Sequence, residues 1–141
     1  MSTKNSKNML VRDVMLTLNN FPMLPKKGLL KEALELMGKF RLGIVTIVDE
    51  QTKLLGIITD GDIRRKLLRI QKPFSAFFVD DAIVHAIKKP ITIGPDENVI
   101  KAVELMEEKK VWDLPVVDEA NTLVGLLHLH PVVCALLGIE K

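Results

Sequence analysis

The chain is written twice, and that constrains its fold more than any other feature. "KEALELMGKFRLGIVTIVDEQTKLLGI" from Lys31 returns as "KAVELMEEKKVWDLPVVDEANTLVGL" from Lys101. Ala33 maps onto Ala102, a shift of 69 residues (102 − 33). The same shift carries Glu35, Leu36 and Met37 onto Glu104, Leu105 and Met106. It also carries Val48-Asp49-Glu50 onto Val117-Asp118-Glu119, Leu54 onto Leu123, Gly56 onto Gly125 and Leu67 onto Leu136. Upstream one slip is needed, because Pro25 pairs with Pro95. Identity held at one offset over this length marks a tandem duplication.

Each copy has the same anatomy. Leu30, Ala33, Leu34 and Met37 recur at helical spacing, as do Val99, Ala102, Val103 and Met106, so Met37 and Met106 are core residues. A β-rich run follows each helix, "GIVTIVD" or "LPVVD", and then a polar turn and a second strand, "KLLGIIT" or "TLVGLLH". A second helix closes each copy, from Asp62 to about Ile70 and from Pro131 to Leu137, with Pro131 suited to a first helical turn. Short strands are predicted ahead of the first helices, around Phe21–Leu24 and Ile91–Ile93. The fold class is α/β (α+β), with two β-α-β-β-α repeats. A unit of roughly 60 residues buries a limited fraction of its surface by itself, so the two copies are expected to pack together. The predicted organisation is a flexible lead over 1–9, repeat 1 over 10–72, a connecting segment over 73–90 and repeat 2 over 91–138. Within the connection, Asp80 to Ile87 reads as helical and His85 as a helix-surface residue. Trp112, at the start of a strand, is expected to pack rather than to line a cleft.

Composition narrows the function. Of 141 residues 48% are hydrophobic, which excludes disorder. Twenty basic against 18 acidic residues give a net charge of +2, too mild to argue for a nucleic-acid or membrane partner. Five Phe, one Trp and no Tyr make no base-stacking platform. The single cysteine, Cys134, excludes an intrachain disulfide and fits a reducing compartment; its setting, "PVVCALL", predicts a buried inert thiol. No apolar run is long enough to span a bilayer, and the polar start "MSTKNSKN" is unlike a signal peptide, so the expected location is the cytoplasm.

The chemistry concentrates in "LLGIITDGDIRR", Leu54 to Arg65. An apolar strand ends there in Thr59-Asp60-Gly61-Asp62, and a helix opens, where unpaired N–H groups and the helix dipole favour phosphate. Gly61 permits close approach to the backbone. Arg64 and Arg65 are expected to diverge on the helix, so that at most one reaches an anion. A second reading stands beside this one: Asp60 or Asp62 caps the helix, and the arginines form a solvated face. At the shift of 69, Thr59 becomes His128 and Asp62 becomes Pro131, so the second copy lacks the carboxylate. His128 and His130 alternate on a strand end and are expected to share a side. They cap the next helix, touch an anionic ligand, or ligate a metal; for the last, no third ligand is visible at a useful spacing.

The "EALELM" helix, the "VVDE" turn, the "LVGI"-like strand and the strand-ending "TDGD" together resemble a tandem CBS-domain pair, the Bateman module, from about Val11 to Leu137. More narrowly, "RLGIVTIVDE", "LLGIITDGDIRR" and "LVGLLHLH" resemble the C-terminal CBS pair of bacterial arabinose-5-phosphate isomerases, and "TDGDIRRKLL" the pairs fused to some sugar nucleotidyltransferases. The resemblance implies a pseudo-twofold module that regulates rather than catalyses, since nothing in these residues corresponds to the sugar-isomerase domain. It implies homodimers, and nucleotide binding in the cleft between repeats. The family's ribose-phosphate signature reads here Gly56-Ile57-Ile58-Thr59-Asp60-Gly61-Asp62, with Thr59 giving its hydroxyl and Asp62 accepting from ribose hydroxyls. The ligand-binding set is then Thr59, Asp60, Gly61, Asp62, Arg64, Arg65, His128 and His130, with no catalytic or metal residue. No cofactor is required; AMP, ADP, ATP or a CMP-sugar is the ligand class. A sugar-phosphate isomerase or a nucleotidyltransferase is the implied partner, and a structural dimerisation module without a ligand is the alternative.

Overall fold

A computed structural model describes residues 8–139. Most of the predicted lead lies outside the described residues. The elements run α1 (Val11–Val14), β1 (Leu16–Thr17), β2 (Met23–Pro25), α2 (Leu30–Phe40), β3 (Ile44–Val48), β4 (Leu54–Thr59), α3 (Asp60–Leu67) and α4 (Phe74–Phe78). A 3-10 turn at Ala82–His85 follows, then α5 (Val99–Lys109), β5 (Asp113–Val117), β6 (Leu123–His128) and α6 (Leu129–Leu137). The mixed α/β architecture and the duplicated order agree with the sequence. The helices after the strand pairs begin two residues earlier than predicted, because Thr59 and His128 are themselves the N-cap residues. The stretch Ile91–Ile93 makes only one bridge, Ile93 to Val116, rather than a strand.

Two compact units form, and they do not follow the linear repeats. Among the described residues one is continuous, 19–90; the other joins 8–18 with 91–139. In the continuous unit β2 pairs parallel with β3, and β3 antiparallel with β4. Ile87 then adds to the far side of β4, donating to Ile57 O at 2.8 Å and accepting from Ile57 N at 3.0 Å. The discontinuous unit repeats this plan: Ile93 bridges β5, β5 pairs with β6, and β1 lies antiparallel on β6 with Leu16 opposite Leu126.

The arm 9–16 therefore does in one unit what 80–87 does in the other. Val99 N donates to Met9 O as Leu30 N donates to Asp80 O, and Val11 N donates to Glu97 O as Ala82 N donates to Gly28 O. Residues 10–18 belong structurally with the second repeat, and the connecting segment completes the first. Its predicted helix over Asp80 to Ile87 is only the 3-10 turn, because the ends of the segment are spent on β-type pairing with Leu29 and Ile57.

Each unit has its own core. Leu24, Leu30, Ala33, Met37, Val45, Ile47, Ile58, Ile63 and Phe77 form one; Val11, Val99, Ala102, Met106, Leu114, Val116, Leu127 and Val132 form the other. Among the described residues Thr46 is the buried polar side chain, and its hydroxyl donates to Pro22 O at 2.8 Å. The polar turns are also copies: Asp49 Oδ1 accepts from Gln51 N and Lys53 N, and Asp118 Oδ1 from Ala120 N and Thr122 N. Among the described residues no helix is long and apolar enough to cross a membrane.

His85 is not a helix-surface residue. Its side chain is largely buried, edge-on to Phe77 with centroids 4.9 Å apart, and its Nε2 lies 2.8 Å from Asp80 Oδ2. Lys72 Nζ donates to both Asp80 oxygens at 2.8 and 2.9 Å. Hydrogen bonds from Lys72, and then from His85, hold the Asp80 carboxyl below its ordinary value.

A Cβ on Gly56 would stand 2.8 Å from Ile87 O and 3.1 Å from the Ala86 Cβ; one on Gly125 would stand 2.8 Å from Leu16 O. Gly56→Ala and Gly125→Ala should each cost about 1–3 kcal/mol of overpacking, read as a lower urea midpoint. Because the Asp80 carboxyl is depressed, its contribution is present above the ordinary carboxylate value and lost as pH falls through the folded value. Asp80→Asn should lower Tm at neutral pH, and the gap to wild type should close on acidification.

Candidate functional site

Thr59 ends β4 and caps α3, so its position is set by strand pairing and helix initiation together. Its hydroxyl accepts from Asp62 N at 3.2 Å and donates to Asp62 Oδ2 at 2.8 Å, while Thr59 N donates to the same oxygen at 3.2 Å. This is a capping box with Asp in the third position. Asp62 Oδ1 accepts from Arg65 Nη2 at 2.8 Å, one turn along. Burial pushes the Asp62 carboxyl up, but hydrogen bonds from the Thr59 hydroxyl, Arg65 and the Thr59 amide outweigh it, and the net shift is downward. Of the two readings of "TDGD", the cap is therefore present.

Asp60 accepts from Gly61 N at 2.8 Å and sits over Gly43, where a Cβ would stand 2.9 Å from its Oδ2. The arginines do not diverge as predicted. A Cβ on Gly61 would find Arg65 Nη1 at 3.2 Å and Arg64 Nη2 at 3.7 Å, so both guanidiniums fold back over this glycine. The reason is local: Arg65 is drawn to Asp62, and long side chains on a helix lean toward its N-terminus. Arg64 has no ion-pair partner among the described residues. The result is a cationic lip at the start of α3, beside the hydroxyl and carboxylate of Thr59 and Asp62. Thr59, Asp60, Gly61, Asp62, Arg64 and Arg65 are brought together.

The matching place in the other unit is built differently. His128 ends β6 opposite Asp113, and its Nδ1 lies 2.7 Å from Asp113 Oδ1. His130 falls inside α6, with Nε2 3.8 Å from Cys134 Sγ. The expectation that the two histidines share a side fails, because the chain turns helical at Leu129, between them. His128 makes no side-chain cap bond to α6. Cys134 is half-buried rather than buried. Trp112, which replaces Gly43, is 71% exposed and not packed away as predicted. It receives Leu129 N on its carbonyl at 3.0 Å, as Gly43 receives Asp60 N at 3.0 Å. Sequence reasoning does not single out Asp113, Gly43 or Arg64's convergence with Arg65. The shift of 69 placing Trp112 on Gly43 and Asp113 on Ile44 is the signal that finds the first two. Cavities of about 490 Å³ beside Lys101 and Glu104, and about 520 Å³ beside Lys26 and Asp49, include none of these residues. No group of three or more metal-ligating side chains occurs among the described residues.

A duplicated α/β pair with two guanidiniums folded over the start of one helix is the class this geometry defines, and the family follows from direct comparison. The CBS domain model matches residues 11–69 and 79–130, and the chain belongs to the CBS-domain family as a tandem pair. An uncharacterized protein of Chlamydia muridarum is 35% identical over 123 residues, covering 85% of this chain and 37% of that protein. Inosine-5'-monophosphate dehydrogenase of Aquifex aeolicus is 36% identical over 104 residues, 73% of this chain and 20% of the enzyme. The chain thus spans about a third or less of these relatives. CBSX2 in complex with AMP superposes with a TM-score of 0.81 and 26% identity, covering 94% of this chain and 98% of that one. The CBS pair of MJ0100 in complex with 5'-methylthioadenosine and S-adenosyl-L-methionine gives 0.74 and 25%, over 92% and 97%. None of these proteins is named as an isomerase, so that kinship rests on the motifs alone.

Thr59→Ala removes the cap and a donor to Asp62, and should cost about 1 kcal/mol at pH 7 in urea unfolding. The depressed Asp62 carboxyl stabilises above its unfolded value and ceases to as pH falls through its folded value. Part of the Thr59→Ala deficit should therefore disappear in acid.

Proposed function

We propose that the chain is a regulatory CBS pair that binds a nucleoside phosphate at the β4–α3 junction and transmits occupancy to a partner or fused enzyme. The observation that carries this reading is the convergence of Arg64, Arg65, Thr59 and Asp62 around Gly61 at a helix start. Guanidiniums and N-terminal amides suit phosphate, and a carboxylate beside a hydroxyl suits a ribose diol. Complexes of CBSX2 with AMP, and of MJ0100 with 5'-methylthioadenosine and S-adenosyl-L-methionine, support an adenosine-type ligand. A CMP-sugar remains the pathway-product candidate, and a Kdo-pathway arabinose-5-phosphate isomerase or a nucleotidyltransferase the enzyme partner. The working unit is a homodimer. Regulation is a population shift: the ligand stabilises the conformation that the partner reads.

The capping box favours a second reading, a dimerisation module without a ligand, because it accounts for Thr59 and Asp62 by helix initiation alone. A thermal-shift panel of AMP, ADP, ATP, S-adenosylmethionine, CMP and CMP-sugars separates the two. A ligand at a hundred times its dissociation constant adds about 2.7 kcal/mol. Because Asp62 also stabilises the ligand-free fold, the quantity to compare in Asp62→Ala is the ligand-induced increment, not Tm itself. An increment present in wild type and absent in the variant supports the sensor; no increment with any compound leaves the structural module.

A further inference from the structure

Granting the nucleotide reading, we propose that Arg65 is a gate that exchanges the Asp62 carboxylate for the phosphate of the ligand. The Asp62 side chain is 18% exposed and both of its oxygens are occupied. Oδ2 is tied to Thr59 through two bonds that also hold the start of α3, so it is not released without fraying the helix. Among the described residues Oδ1 is held only by Arg65, whose side chain is 55% exposed. Oδ2 already accepts two hydrogen bonds and Oδ1 one, so a ribose hydroxyl that donates to Asp62 arrives at Oδ1 and, in the proposed exchange, takes the place of Arg65 there. Arg65 is the exposed member of the pair and water can reach its donors, so the displacement costs little.

The released guanidinium stays beside Gly61, where Arg64 already stands and where the absence of a Cβ leaves room for it to swing. There it meets the phosphate of a nucleotide with a planar fork of donors. A nucleoside opens the same pair and offers Arg65 nothing in return. The gate thus selects nucleotides over nucleosides, beyond the general attraction of two cations for an anion.

The test is calorimetric titration of AMP and of adenosine into wild type, Arg65→Met and Arg64→Met, with circular dichroism confirming the fold. Arg65→Met should weaken AMP by about tenfold and tighten adenosine a few-fold, collapsing the preference between them. Arg64→Met should weaken AMP and leave adenosine unchanged. In the ligand-free protein, the Asp62 carboxyl carbon followed by NMR should titrate at higher pH in Arg65→Met than in wild type. An AMP-to-adenosine ratio unchanged in Arg65→Met, or an Asp62 titration that does not move, overturns the gate while leaving a nucleotide site. Binding of neither compound to wild type overturns the gate together with the AMP form of the site.

Discussion

Main-chain pairing between an arm and the outer edge of a two-strand core is the interaction on which everything else rests. Ile87 against Ile57 and Leu16 against Leu126 close the same edge in the two units. Both contacts require the backbone to pass directly over a glycine, Gly56 or Gly125. An edge left open would expose a row of unpaired N–H and C=O groups. With the edge closed, β4 and β6 lie inside their sheets and their C-terminal ends, Thr59 and His128, are held where a helix can begin.

Those two ends show how one scaffold supports two chemistries. In the continuous unit a small Gly43 leaves space for Asp60, and Thr59 and Asp62 reinforce each other across the first helical turn. In the discontinuous unit Trp112 takes the place of Gly43, Leu129 that of Asp60 and Pro131 that of Asp62. There the strand-end side chain bonds across the sheet, His128 to Asp113, instead of to the first turn of the helix. The backbone bond beneath is the same in both, Asp60 N to Gly43 O and Leu129 N to Trp112 O at 3.0 Å, so at the strand tip the two units differ in their side chains.

Much of this was legible from the residue order. The shift of 69 exposed both α–β–β cores, because apolar spacing and the Asp49 and Asp118 turns depend on side-chain identity. The arms were not legible. Residues 9–16 and 80–87 share no such pattern, since they are held through backbone bonds that many sequences satisfy, and their shift is 71 instead of 69. His85 was misplaced for the same reason: its burial comes from Phe77 and Asp80, which pack on it only once the connecting segment has folded back. The motif around Thr59 was visible, but which partner each Asp62 oxygen would take was not. That choice depends on where Arg65 lies in three dimensions, and periodicity alone placed the two arginines apart.

The arms also set an order of events during synthesis. Residues 19–90 hold every strand of their unit, so this half leaves the ribosome complete and can close while the rest is still being made. The arm over 9–16, made before this unit, has no edge to join until β6 has been translated. It waits, without its contacts to the second unit, while the whole continuous unit is made. The arm is thus housed only after every residue between it and β6 has been made, and the half that carries Thr59 and Arg65 can close before the other has its core strands.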